Sequence, residues 1–210
     1  MKTVPSLRHS KAELRKEIRR RRSALSPARR AGLDAAINLH LLKLADETRP
    51  GAVAAFHAFD GEPDLLPALA ELQRRGIRLA LPIVHPEPGR AALTFREWVA
   101  GCDMRPNRFG IQEPWGTAEV RVEDVDLALI PLVAWDETGG RLGMGASFYD
   151  RLFQPFAQQR HPLRIGVAYR VQQLDRVPME PWDVRLHRVV TDDGCIDCTA
   201  PPAADSPAHV

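Results

Sequence analysis

The chain has 210 residues, 27% of them charged, and a formal net charge of +2. This length suits one domain with a full hydrophobic core, and the near-neutral charge gives no overall sign of nucleic-acid binding. An apolar run of about 18 residues, which a transmembrane helix needs, is missing, as is the apolar segment of a signal peptide. Three cysteines do not indicate a disulfide framework. We therefore expect a monomeric cytoplasmic protein with reduced thiols and no membrane partner.

The N-terminal segment predicts a basic helix from Leu7 to Leu25, in which Arg19 to Arg22 form an uninterrupted basic run. So many arginines cannot share one helix face, and several must be solvated. One interpretation is an exposed helix whose Glu13 and Glu17 pair with basic neighbours. The other is RNA binding, which the absence of an aromatic platform disfavours.

The rest of the chain alternates predicted helices with short apolar strands. After a helix that begins at Pro27, capped by Ser26, and ends near Asp46, the pattern predicts strand Ala52–Ala58, helix Asp64–Arg75, strand Ile77–Val84, an edge or antiparallel strand Ala92–Trp98, strand Val125–Ala134, helix Phe148–Gln159, strand Arg164–Tyr169 and a last strand Val184–Thr191. This order predicts an α/β fold: a mostly parallel central sheet with helices on both faces, in three layers. We expect a single domain over residues 1–198 and a disordered tail over residues 199–210.

The segment from Ile130 to Phe153 predicts a strand, a glycine loop and a helix. Glycines allow backbone N–H groups to turn toward a phosphate, and a helix N-terminus adds partial positive charge. The loop matches neither the Walker A pattern nor the dinucleotide-binding fingerprint. The alternative interpretation is a structural turn in which Ser147 caps the helix and Asp150 completes a capping box.

The sequence RLGMGASFYDR, from Arg141 to Arg151, resembles the glycine-loop signature of the 5-formyltetrahydrofolate cyclo-ligase family. Ala146 stands where glycine is common, and Ser147 replaces the third glycine of the signature. Ala146 is a small change if its φ is negative. Ser147 suits a helix cap, but it is strained if that position requires a positive φ.

Other family motifs follow in order between Lys11 and Thr191. The resemblance therefore implies an ATP-dependent ligase that closes 5-formyltetrahydrofolate to 5,10-methenyltetrahydrofolate and releases ADP and phosphate. The ATP-binding residues that it implies are Lys11, Arg15, Arg141, Leu142, Gly143, Met144, Gly145, Ala146, Ser147, Phe148 and Tyr149. By the same resemblance the folate site contains His57, Glu62, Phe109 and Tyr149, the catalytic residues are Arg141, Tyr149 and Asp150, and Mg²⁺ is held by Asp150 and Asp183.

The residues alone leave alternatives open at several points. Glu62 also suits the first turn of a helix, where the helix dipole favours an acid, and Asp183 also suits a turn. Cys195 and Cys198 form a Cys-x-x-Cys near the end of the chain, which we interpret as two ordinary thiols. The protein as a whole could be a folate- or nucleotide-binding relative that transfers phosphate poorly.

Overall fold

The computed structural model describes residues 10–85 and 93–199. The start of the predicted basic helix (Leu7 to His9), the first residue of the predicted strand Ala92–Trp98 and residues 200–210 of the predicted disordered tail lie outside these ranges. The described helices are α1 (Lys11–Ser23), α2 (Pro27–Thr48), α3 (Leu66–Arg74) and α4 (Phe148–Phe153). The described strands are β1 (Ala52–Ala54), β2 (Arg78–Val84), β3 (Leu93–Glu97), β4 (Met104–Pro106), β5 (Gln112–Pro114), β6 (Glu119–Val120), β7 (Leu127–Pro131), β8 (Ala134–Trp135), β9 (Arg141–Leu142), β10 (Leu163–Val167), β11 (Arg188–Thr191) and β12 (Gly194–Asp197).

Eight of these strands form one sheet in the order β12-β11-β10-β7-β1-β2-β3-β6. The five central strands, from β11 to β2, are mutually parallel, whereas β12, β3 and β6 are antiparallel to their neighbours. The mostly parallel sheet is therefore confirmed, as is the antiparallel alternative for the third strand. Because the central strands are parallel, their carboxyl ends lie at one edge of the sheet, where open α/β sheets bind ligands.

Helices cover both faces of the sheet because neighbouring strand residues point to opposite sides. Val53 belongs to a buried cluster that includes Leu41 of α2 and Leu69 of α3. The next residue, Ala54, belongs to a second cluster, on the other face, that includes Phe153 of α4. Burying a side chain such as Phe153 contributes about 2 kcal/mol. The predicted three-layer arrangement is confirmed.

Three strand predictions are wrong in their boundaries. The predicted strand Ala52–Ala58 ends already at Ala54. The apolar run after Val125 forms β7 and then a separate hairpin, β8–β9, whose turn is the predicted Asp136–Gly140 segment. The predicted last strand begins only at Arg188, because the backbone N–H groups of Val184 and Leu186 donate to the Asp150 carboxylate and to the carbonyl of Gly139. It is also not the last strand, since β12 follows it and pairs antiparallel with it.

Helix α1 begins at Lys11 with a capping box between Ser10 and Glu13. Glu17 accepts hydrogen bonds from Arg20 and Arg21, which confirms its predicted pairing. Arg19 and Arg22 instead reach Asp60, in the turn after β1. These contacts give the basic run a structural role. Within the described ranges, no helix is both long and apolar enough to span a membrane.

Candidate active site

A cavity of about 630 Å³ lies at the carboxyl ends of β1, β2 and β7. Phe56, Val84 and Leu132, at or just after those strand ends, line it. All the residues predicted for the site also line it, and they are Lys11, Arg15, His57, Glu62, Phe109, Arg141, Leu142, Gly143, Met144, Gly145, Ala146, Ser147, Phe148, Tyr149, Asp150 and Asp183. The fold therefore brings together segments that are far apart in the sequence. The role of each residue stays a prediction.

The glycine loop (Gly143–Ser147) joins β9 to α4 along one wall of the cavity. The Nε of Arg15 donates to the carbonyl oxygen of Gly143 at 2.8 Å, so α1 is bonded directly to the loop. Gly145 has a φ of +106°, a conformation that side chains rarely adopt. The predicted long helix after the loop ends at Phe153, and a 3₁₀ turn containing Pro155 follows it. Arg15, bonded to Gly143, therefore holds a full positive charge beside the loop.

Ser147 adopts the left-handed conformation, with a φ of 50° and a ψ of 30°, and its side chain makes no capping hydrogen bond to α4. The interpretation of Ser147 as a helix cap, with Asp150 completing a capping box, is therefore wrong. The loop instead requires a glycine-like conformation at this position, which costs a serine about 1 kcal/mol. Among the described non-glycine residues, a positive φ occurs only at Arg49, Asp60 and Ser147, so Ala146 is accommodated without this strain.

Arg141 and Asp150 form an ion pair behind the loop. The side chain of Arg141 is only 4% exposed, and its Nη2 donates to Oδ1 of Asp150. The same Oδ1 accepts the backbone N–H of Val184 at 3.1 Å. Burial lowers the pKa of the Arg141 guanidinium, and the Asp150 carboxylate opposes that shift. These contacts fix the direction in which Asp150 faces the cavity.

A second acidic group lies on the turn from Glu180 to Asp183, which we call the 180–183 turn. Lys11 Nζ lies 3.0 Å from Oδ2 of Asp183 and 3.5 Å from Oε1 of Glu180. The ammonium of Lys11 therefore contacts carboxylates, whereas Arg15 contacts the glycine loop. The backbone N–H of Glu180 also donates to Asp183 Oδ2, at 2.8 Å, which holds the turn closed.

The carboxylates of Asp150 and Asp183 both line the cavity and suit Mg²⁺ chemically. Mg²⁺ keeps several waters and takes few protein ligands, so two carboxylates with phosphate oxygens can complete its shell. The part of the chain that the structure describes contains no group of three or more His, Cys, Asp or Glu side chains that could hold a metal by themselves. The donor set thus fits a metal that arrives with phosphates.

The turn Phe59–Glu62, which we call the β1 turn, presents Glu62 to the cavity. The backbone N–H of Phe59 donates to Oε2 of Glu62 at 3.1 Å, and the N–H of Glu62 donates to the carbonyl of Phe59 at 3.0 Å. Burial raises the pKa of the Glu62 carboxyl to about 7. The first-turn alternative for Glu62 is wrong, because α3 begins only at Leu66, where the side chain of Asp64 accepts the N–H of Leu66.

Aromatic and imidazole rings form the apolar part of the site. His57 packs edge-on against Trp98 with ring centres 5.8 Å apart, and burial lowers the pKa of His57. Its Nε2 is buried without a partner among the described residues. Tyr149 stacks on Phe153 at 6.3 Å, and burial raises the pKa of the Tyr149 hydroxyl. Burial therefore favours the neutral form of both His57 and Tyr149.

Sequence reasoning missed several lining residues, among them Asn107, Glu113 and Trp182. Oε1 of Glu113 accepts from the backbone N–H of Val84 at 2.9 Å and from Nδ2 of Asn107 at 2.7 Å. These bonds tie the loop that carries Phe109, whose ring is 45% exposed, to the end of β2. Glu113 belongs to the same FGIQEP motif as Phe109, but only the aromatic ring of that motif drew a functional prediction.

The model of the 5-formyltetrahydrofolate cyclo-ligase family matches residues 7–192. This chain belongs to that family. It is similar to cyclo-ligases of Escherichia coli (36% identity over 180 residues, 83% of this chain and 96% of the relative) and Haemophilus influenzae (32% over 180 residues, 85% and 95%). The Aquifex aeolicus 5,10-methenyltetrahydrofolate synthetase has a similar structure, with a TM-score of 0.76, 30% identity, and coverage of 95% of this chain and 98% of that one. The predicted family resemblance is confirmed.

Proposed function

We propose that this cyclo-ligase family member uses ATP to convert 5-formyltetrahydrofolate into 5,10-methenyltetrahydrofolate, with release of ADP and phosphate. One cavity carries the proposal, because the glycine loop and its arginines meet the β1 turn and the rings of His57, Phe109 and Tyr149 in it. Such a cavity can hold a polyanion beside a flat heterocycle. The names of the similar proteins support the same reaction.

The reaction activates an otherwise poor leaving group. The formyl oxygen attacks the γ-phosphorus of ATP, and ADP leaves. The 10-nitrogen of the folate then attacks the activated formyl carbon and loses its proton, and phosphate departs with the former formyl oxygen. Both nucleophiles belong to the substrate, so the protein contributes mainly alignment of the two molecules and neutralisation of charge on the transferring group.

The phosphate half of the cavity supplies that charge neutralisation. Backbone N–H groups of the glycine loop are the proposed phosphate donors, with Lys11, Arg15 and Arg141 as cations. Arg15 is already bonded to the loop backbone at Gly143, so its charge is held beside these donors. Mg²⁺ bound by Asp150 and Asp183 would offset further negative charge on the phosphates.

The folate half of the cavity supplies shape and hydrogen bonds. Phe109 and Tyr149 offer ring faces to the pterin, since flat rings prefer offset or edge contacts. Glu62, with its raised pKa, can either donate or accept a hydrogen bond near pH 7. The Nε2 of His57 has no hydrogen-bond partner among the described residues, and burial favours the neutral ring, so this nitrogen can pair with a polar edge of the pterin. A cytoplasmic location and a monomeric state remain predictions from the sequence.

The decisive experiment mixes the purified protein with 5-formyltetrahydrofolate, ATP and Mg²⁺ and follows the ultraviolet absorbance of the methenyl product. We expect an increase that requires all three components. Saturable binding of the folate without any ATP-dependent increase, in a protein shown to be folded, would instead identify a binding relative whose glycine loop no longer supports phosphate transfer.

A further inference from the structure

One large aromatic side chain in the cavity has no role in the reaction described above. Trp182 lines the cavity, and yet 61% of it is exposed. An indole that is exposed inside a ligand cavity is available for a stacking contact with a bound ring.

The location of Trp182 distinguishes between the two ligands. It belongs to the 180–183 turn, which is closed by the bond from the Asp183 N–H to the Glu180 carbonyl at 3.0 Å. Lys11, near the start of α1, holds this turn through its contacts with both acids. Trp182 is therefore the chain neighbour of Asp183 and shares the cavity wall with the residues proposed to bind phosphate and metal.

The folate half is at the other end of the same helix. The β1 turn contacts α1 at Arg19, which is eight residues after Lys11. Eight residues of α-helix span about 12 Å. The points at which the two turns are attached to α1 are thus about two helical turns apart, and Trp182 belongs to the turn that is attached at the Lys11 end, which favours the nucleotide over the pterin as its partner.

We propose that Trp182 is the platform on which the purine base of the nucleotide stacks. The inference rests on the proposed use of ATP. Stacking depends on the flat face of a base more than on its hydrogen-bonding edge. The platform therefore accounts for nucleotide affinity and not for discrimination between adenine and guanine.

The test compares binding of ADP and of inorganic tripolyphosphate, which carries phosphates but no base, by calorimetry with Mg²⁺ present. Trp182→Ala should weaken ADP binding about tenfold, as expected for loss of one base-stacking contact, and should leave tripolyphosphate binding unchanged. Trp182→Phe should retain most of the ADP affinity, because a phenyl ring still stacks. In turnover, Trp182→Ala should raise the KM for ATP and not that for 5-formyltetrahydrofolate.

Trp115 provides a matched control. It is 51% exposed, its ring lies under the guanidinium of Arg105 at 3.8 Å, and it is not among the residues that line the cavity. Trp115→Ala should bind ADP like the wild type. Equal ADP affinity of the wild type and Trp182→Ala, or an increase confined to the KM for the folate, would overturn the stacking role of Trp182. Neither result would affect the proposed function. Failure of the wild type to bind ADP at all would overturn the proposed function and the platform together.

Discussion

The glycine loop and the β1 turn solve the same conformational problem in different ways. Each contains a non-glycine residue in the left-handed region, Ser147 with a φ of 50° and Asp60 with a φ of 52°. Each segment is also associated with an aspartate that pairs with a buried arginine. Asp150, behind the glycine loop, pairs with Arg141, and Asp60, within the β1 turn, pairs with Arg22.

The difference lies in what the side chain of the strained residue does. Asp60 accepts hydrogen bonds from Arg19 and Arg22, and aspartate tolerates the left-handed region better than most residues. Ser147 makes no capping bond, so its strain is not offset in this way. Helix α1 thus holds the β1 turn through the pairs that Arg19 and Arg22 form with Asp60. The left-handed conformation of Ser147 instead serves the path of the loop backbone, because its side chain makes no capping bond. Backbone strain of this kind persists where the surrounding structure imposes it, often at functional sites.

The largest effect should follow from changing Asp150, the aspartate that pairs with Arg141 behind the glycine loop. Asp150→Ala should reduce turnover on the order of 100-fold, because it removes one of the two carboxylates proposed to hold Mg²⁺ at the transferring phosphate. It should also lower the free energy of unfolding by about 3–5 kcal/mol, because Arg141 stays buried without its partner. Steady-state kinetics and urea unfolding measure the two effects.

Asp150→Asn serves as the control for folding, since its amide oxygen can still accept the N–H of Val184. We expect this variant to be more stable than Asp150→Ala but similarly slow. Wild-type turnover in Asp150→Asn would show that phosphate transfer does not need the carboxylate of Asp150.

Changing Asp60 should mainly affect stability. Asp60→Ala should cost about 3 kcal/mol in unfolding free energy, because Arg22 is only 1% exposed and loses its carboxylate. Asp46→Ala is the matched control, since Asp46 is 67% exposed and its pair with Arg75 lies on the surface. Its unfolding midpoint should stay close to that of the wild type. Equal midpoints for the two variants would show that α1 does not hold the β1 turn through Asp60.

Glu62 should make stability and folate binding depend on pH. The pKa of its carboxyl is raised in the folded protein to about 7, so the protonated form is favoured by folding. The stability linked to this proton is fully present below the unfolded pKa of about 4.3 and is lost as pH rises through about 7. Glu62→Gln should therefore gain stability relative to the wild type between about pH 5 and pH 8. If the difference in unfolding midpoint between Glu62→Gln and the wild type stayed constant over that range, the raised pKa of the Glu62 carboxyl would be contradicted.

The smallest effect should come from relieving strain at Ser147. Ser147→Gly should gain about 1 kcal/mol of unfolding free energy, and it should retain or increase turnover. Arg49→Gly is the control, because Arg49 has a φ of 48° at the end of α2, and it is not among the residues that line the cavity. It should gain similar stability with unchanged turnover. A loss of activity in Ser147→Gly would show that the serine side chain itself contributes to the site.

Much of the fold and of the residue set could be predicted from the sequence. Alternating helix and strand patterns sufficed for the parallel sheet, and local motifs sufficed to find residues that line one cavity. Local patterns failed where long-range contacts decide the structure. The contact between Lys11 and Asp183 joins residues 172 positions apart, and the burial that raises the pKa of Glu62 has no local signature. The short β12 was missed because the sequence GCID has no clear apolar alternation.

Helix α1 determines how the parts of the cavity are spaced. Lys11, Arg15 and Arg19 recur every four residues on one face, and they contact the 180–183 turn, the glycine loop and the β1 turn in that order. The cationic side chains of the helix therefore set the spacing between these three segments. Deleting one residue between Arg15 and Arg19 would rotate Arg19 and the residues after it by about 100° around the helix axis. The β1 turn would then lose its contact with the helix face that holds the other two segments. The register of this helix therefore matters more to the site than the number of its arginines.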